Sequence, residues 1–141
     1  MPFPRSPYDK EGGLVFFPRM LDKIRLLAKG ELPEEYHPPM TRGFNANCCD
    51  FLGVEYPALV EKVNEGLNDA EVLQWCFEMG GRKTDFEIGL WNSFAIKKGW
   101  RDEDPGTLER LKGFKQAAGL EHRDDILTVF DFIEVDEGRQ T

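Results

Sequence analysis

Residues 12–30 read GGLVFFPRMLDKIRLLAKG, and how this stretch is read decides the fold. Met20, Leu21, Ile24, Leu27 and Ala28 recur at i, i+1, i+4, i+7 and i+8, the spacing of one helical face. Pro18 suits a first helical turn, where its fixed φ is pre-set and a backbone N–H is not needed. Gly30 suits a left-handed stop. Threaded through this apolar helix are Arg19, Asp22, Lys23 and Arg25. Arg19 and Asp22, like Asp22 and Arg25, are i,i+3 neighbours, and a surface pair of that kind stabilises a helix by only about 0.2–0.5 kcal/mol. The plain reading is a solvated flank. Two sharper ones are that Arg19 and Arg25, oriented by Asp22, fork around a carboxylate or phosphate, or that they clasp the acidic C-terminal run holding Asp136 and Glu137, since the planar guanidinium matches carboxylate geometry.

The remaining segments punctuate in the same way. Residues 1–11 are Pro-rich and polar and read as an extended arm, with Phe3 and Tyr8 placed to clip onto the body. Residues 31–44, ELPEEYHPPMTRGF, are broken by proline and read as irregular. A short helix follows over 45–52, then one opened by Tyr56-Pro57 with Leu59, Val60 and Val63 inward. Asp69 reads as the cap of the next, which buries Val72, Leu73 and Cys76. Thr84 with Glu87 spells a capping box ahead of FEIGLWNSFAI, apolar around so much of its circumference that it reads as the central helix. Asp104-Pro105 opens a helix with Leu108, Leu111, Phe114 and Ala118 inward. The last segment, DDILTVFDFIEVDEGR, carries polar residues at 128, 131 and 134 and reads as a helix begun by Asp124-Asp125. The sum is an all-α chain of six or seven short helices in an irregular, orthogonally packed bundle, one domain over 1–141, with 136–141 a mobile tail on one reading.

Composition limits function. The 141 residues include eleven Phe, three Trp and three Tyr, enough large packing units for a core without metal or disulfide staples. The net charge of −8 is C-terminal in origin: residues 1–50 hold seven basic and seven acidic side chains, residues 51–141 eleven and nineteen. An acidic chain with no basic stripe is a poor nucleic-acid binder. No apolar run reaches signal-peptide or membrane-span length, and three cysteines, an odd number, do not form a secreted disulfide framework, so a cytoplasmic protein off the membrane is expected.

Catalytic spellings are lacking. Glu34 and His37 have Glu-x-x-His spacing, but a di-metal site requires a second such pair. Cys48-Cys49 lack the two-residue spacer of a redox motif, and with Cys76 they show no zinc-ligand spacing. GGRKT at 80–84 lies between helices, whereas a phosphate loop follows a strand. Neither Ser6 nor Ser93 sits in a nucleophile elbow. No metal or cofactor is expected.

The blocks GGLVFFPRMLDKIR, AKGELPEEY, GLNDAEVLQWC and the terminal DEGR resemble those of an uncharacterised bacterial family of small cytoplasmic proteins known only as a domain of unknown function. The resemblance runs over nearly the whole chain, and PRMLDKIR is its most specific block. It implies no activity, cofactor or catalytic residue. Two functions therefore compete. One is a protein-interaction or regulatory module, its partner another protein or a second copy, with an apolar patch near Trp75 and Phe77. The other is a small anionic-ligand binder or enzyme whose pocket joins Arg19, Asp22 and Arg25 to Asp136 and Glu137, one of these acids moving a proton.

Overall fold

A computed structural model describes residues 3–37 and 43–139. Seven α-helices lie among these residues: α1 (Phe17–Ala28), α2 (Phe44–Leu52), α3 (Tyr56–Asn64), α4 (Asp69–Gly80), α5 (Asp85–Lys97), α6 (Pro105–Ala117) and α7 (Val129–Asp136). The architecture is the all-α one that the periodicities predict. Contacts group the chain into two compact units, one reaching to Trp91 and the other starting at Asn92.

In the first unit the apolar run before α1 does something periodicity did not show. Leu14–Val15 (β2) pairs antiparallel with Lys10–Glu11 (β1), Lys10 opposite Val15 and Glu11 opposite Leu14. Gly12 and Gly13 turn the hairpin with φ of 59° and 83°, the two positive values that a tight two-residue turn demands. Phe16 then enters α1 at φ 73°, unusual for a bulky residue. The strain is offset by burial, since Phe16 is 1% exposed, its ring lies 5.2 Å from that of Phe44, and the Lys23 ammonium sits 5.2 Å above it.

The first turn of α1 is buried on all sides: Phe17, Pro18, Arg19, Met20 and Leu21 are all buried, whereas Leu27 in the last turn is 41% exposed. Arg19 is therefore no part of a solvated flank. At 1% exposure it is among the largest fully buried side chains described.

Further along, α2 and α4 pack so closely that Gly80 of α4 abuts the carbonyl of Leu52 and the backbone of Gly53. Val72, Leu73 and Cys76 are buried, as the row on α4 predicts. The cap, however, is Asn68: its Oδ1 accepts from the Glu71 N–H at 2.9 Å and Glu71 Oε1 accepts from the Asn68 N–H at 3.0 Å. Asp69 is one residue inside the helix, which leaves its carboxylate for other partners.

α5 is not a central helix. Trp91 and Ala95 are buried, and the Trp91 indole N–H donates to the Val15 carbonyl at 3.0 Å. Phe86, Leu90 and Phe94 on its other side are 74%, 55% and 46% exposed. An all-round apolar composition told nothing of which side the core would claim.

In the second unit α6 buries little. Thr107 and Leu111 are buried, but Leu108 and Phe114 are largely exposed and Ala118 is on the surface. The Phe114 ring keeps one partner, stacking on Phe132 at 5.7 Å. The C-terminal helix is shorter than its β-branched and aromatic run suggested. Thr128, not Asp124-Asp125, caps α7, its hydroxyl accepting from the Asp131 N–H at 3.1 Å. Asp125 instead receives both arms of the Arg123 guanidinium at 2.8 Å, and those hydrogen bonds hold its carboxyl down at about 2. Asp136 and Glu137 are not a detached tail: Asp136 ends α7 and Glu137, its C-cap residue, is buried. Residues 140–141 lie outside the described residues.

Candidate functional site

The charged residues of α1 find partners close at hand. The Arg19 guanidinium donates through Nη1 to the Arg5 carbonyl at 3.1 Å, and the Arg5 N–H donates to Asp22 Oδ2 at 3.0 Å. Both polar groups of one residue of the N-terminal arm are thus gripped by side chains one turn apart on α1, the i,i+3 spacing at work. Arg19 also lies 5.8 Å from the ring centroid of Tyr36, against which Phe3 packs edge-on at 6.2 Å. Pro4 and Pro7 of the arm are buried, and the Phe16 N–H donates to the Pro7 carbonyl at 2.9 Å.

The side chain of Arg5 continues the network. Its Nε meets Asp9 Oδ2 at 3.0 Å and its Nη1 meets Asp69 Oδ2 at 3.3 Å. Asp69 also receives Arg25, whose Nη1 lies 2.7 Å from Oδ1. Arg25 reaches Asp22 at 3.9 Å and donates to the Leu67 carbonyl at 3.2 Å. Arg25 lines an open surface cavity of about 470 Å³ with Glu11, Leu67, Asn68 and Asp69. An anion there meets a guanidinium already committed to two carboxylates and a carbonyl, beside the further carboxylate of Glu11. The arrangement disfavours an anionic guest electrostatically.

Arg19, Asp22 and Arg25 belong to the first unit, and Asp136 and Glu137 to the second. Within the second unit Arg139 spans two buried carboxylates, Nη1 donating to Glu137 Oε1 at 2.6 Å and to Glu134 Oε1 at 3.1 Å. The Glu137 side chain is 1% exposed and that of Glu134 9%. Asp136 is on the surface. The sequence reads Glu134 only as part of a polar stripe three residues from Asp131, because a Glu five residues before Arg139 can be reached only when the chain turns back at Gly138, φ 79°.

The aromatic pair expected at a patch is half-buried. Lys62 lies 6.0 Å from the Trp75 ring centroid and Arg82 5.7 Å from that of Phe77, so each ring has a cation over it. The large apolar side chains more than half exposed are Met79 in the last turn of α4 and Phe86 and Leu90 on α5, while Phe94, 46% exposed, has Lys98 Nζ 5.0 Å from its ring centroid. Phe86, Leu90 and Phe94 stand at i, i+4 and i+8, so they form one row along α5.

His37 places Nε2 3.1 Å from the Leu32 carbonyl, and no group of three or more metal-ligating side chains occurs among the described residues. Cys48, Cys49 and Cys76 are buried thiols. Burial, seconded by the charge of neighbouring groups, pushes Cys49 and Cys76 up to about 12 from an ordinary 9.0 and raises Cys48 strongly. A group whose folded-state value is raised favours folding fully below its unfolded value and loses that contribution as pH climbs toward the folded one. Urea unfolding repeated across the alkaline range should therefore show stability falling between about pH 9 and 12. At pH 8 the native thiols should resist a thiol reagent until urea is added. Labelling of the native chain as fast as that of the unfolded chain would contradict both expectations.

A family model described as "Domain of unknown function (DUF5069)" matches residues 1–139. No curated protein matches this chain. No helix among the described residues is long and apolar enough to cross a membrane.

Proposed function

We propose that this chain, which belongs to the DUF5069 family, is a protein-interaction module that pairs with a second copy of itself along the outer side of α5. The observation that carries the reading is the exposed row of Phe86, Leu90 and Phe94. Water contact of large apolar side chains costs about 25 cal/mol for each Å² that a partner could cover. A contiguous apolar row of this kind is the usual mark of an interface.

The row is also symmetric about Leu90. Laid antiparallel on its own copy, it sets Leu90 against Leu90 and Phe86 against Phe94, the self-complementarity that a two-fold interface requires. Exposed Gly89 and Ser93 beside it are small enough to let two helices approach. In this register Lys97 falls opposite the partner's Lys83 with Asp85 two residues beyond it, and the two helix dipoles oppose favourably.

Light scattering on a sizing column should give about twice the 16.2 kDa of one chain. Leu90→Glu buries two carboxylates face to face at the symmetry axis and should return the mass to one chain without loss of helical signal. A wild-type chain that stays monomeric at hundreds of micromolar, or a Leu90→Glu variant that stays dimeric, removes the support.

A further inference from the structure

The arm on α1 is held as a ligand is held. Residues 3–9 run Phe-Pro-Arg-Ser-Pro-Tyr-Asp. Pro4 and Pro7, three residues apart, are both buried while Arg5 between them is exposed. The chain bends at the second proline, where the Asp9 N–H donates to the Ser6 carbonyl at 3.1 Å across a turn of Pro7 and Tyr8. Recognition then goes through the peptide itself: Asp22 accepts the Arg5 N–H and Arg19 donates to the Arg5 carbonyl. Specificity comes from charge, because the Arg5 guanidinium, paired within the arm to Asp9, reaches the seat's carboxylate of Asp69 at 3.3 Å, and an aromatic contact, Phe3 on Tyr36, closes one end. An aromatic platform is a means by which other proteins bind proline-rich segments, and here Asp69 adds a carboxylate for the arginine.

The Arg5–Asp9 pair within the arm is ionic and wet, whereas Asp69 of the seat is 14% exposed. Side chains of Arg5 and Asp9 are 47% and 40% exposed, and pairs in that setting are screened by salt and contribute little to stability. Tethering adds to these contacts by giving the arm an effective concentration in the millimolar range.

We infer that the seat formed by Arg19, Asp22, Tyr36 and Asp69 on the first unit is a recognition site for a Pro-Arg-x-Pro segment of a partner protein that turns at its second proline, and that the chain's own arm occupies it as a displaceable stand-in. Charge complementarity names the partner's chemistry: a proline-flanked arginine, with no acidic residue in its place. The site is distinct from the α5 row, and Leu90→Glu should leave it intact.

The probe is a fluorescent peptide with the sequence of residues 3–9, titrated by anisotropy into the full chain. Arg5→Glu sets a carboxylate against Asp9 and Asp69 and so empties the seat. This variant should bind the peptide saturably, and wild type should bind it at least about tenfold more weakly because the tethered arm competes. A peptide with Glu for Arg should not bind, and adding Asp69→Asn to the Arg5→Glu chain should weaken binding at least about tenfold, as loss of a charge-assisted contact does. Should Arg5→Glu fail to fold, Arg5→Ala replaces it. On wild type, hydrogen exchange at the Arg5 amide should quicken when millimolar peptide is added. Absence of binding to both folded variants overturns the inference, and so does equal binding of the Arg and Glu peptides. An Arg5→Glu chain that instead pairs with wild type through exchange of arms also overturns it, in favour of a second copy as the occupant.

Discussion

Gly80→Ala should destabilise the protein by about 3 kcal/mol or more, the range reached when a buried position is overpacked and the obstacle is backbone. A Cβ at Gly80 overlaps the carbonyl oxygen of Leu52 and comes within 3.0 Å of the Gly53 carbonyl carbon. Neither can rotate away as a side chain could. Relief requires α4 to lift from α2 near Leu52, which is itself fully buried. Gly113→Ala supplies the contrast. Gly113 lies inside α6 with nothing within 4 Å of an added Cβ, so the same change there should stabilise by about 0.5–1 kcal/mol through helix propensity alone. Urea unfolding of the two variants beside wild type tests the pair. A Gly80→Ala midpoint unchanged from wild type would mean that the α2–α4 contact is looser than described.

Arg19→Ala should cost about 3 kcal/mol, the usual penalty for removing a buried, hydrogen-bonded charged side chain. Three losses combine: the packed stem of a side chain 1% exposed, the donor to the Arg5 carbonyl and the contact over Tyr36. Arg19→Lys should recover little, because an ammonium cannot spread donors over a plane and stacks poorly on a ring. The variant should also free the arm, so brief trypsin treatment should cut after Arg5 faster than in wild type. A stability loss under 0.5 kcal/mol, the range of surface changes, would place Arg19 back on a solvated flank.

These two residues show where sequence reading reached its limit. The helix of residues 17–28 was legible, since i, i+4, i+7 spacing is set by the helix's own geometry. That Arg19 would be buried was not, because the residues that bury it include an arm fourteen positions earlier and a tyrosine seventeen later. Gly80 reads as a helix stop, and only α2 lying against it turns the absent Cβ into a packing requirement. The fork expected of Arg19, Asp22 and Arg25 was for an anion or for the C-terminal acids, whereas the partners seen within the first unit are the Arg5 peptide and Asp69.

Local chemistry, then, was legible in sequence alone: which segments coil into helices, and that Gly30 would turn left-handed, though not which residue caps α4 or α7. Such features depend on residues a few positions apart, where chain geometry leaves little choice. Tertiary structure decided which side of α5 the core takes, leaving Phe86, Leu90 and Phe94 outside, and which polar side chains are sealed in, such as Arg19 and Glu137. Burial is a property of surfaces brought together from distant positions, and an apolar side chain has the same sequence signature whether it faces the core or waits for a partner.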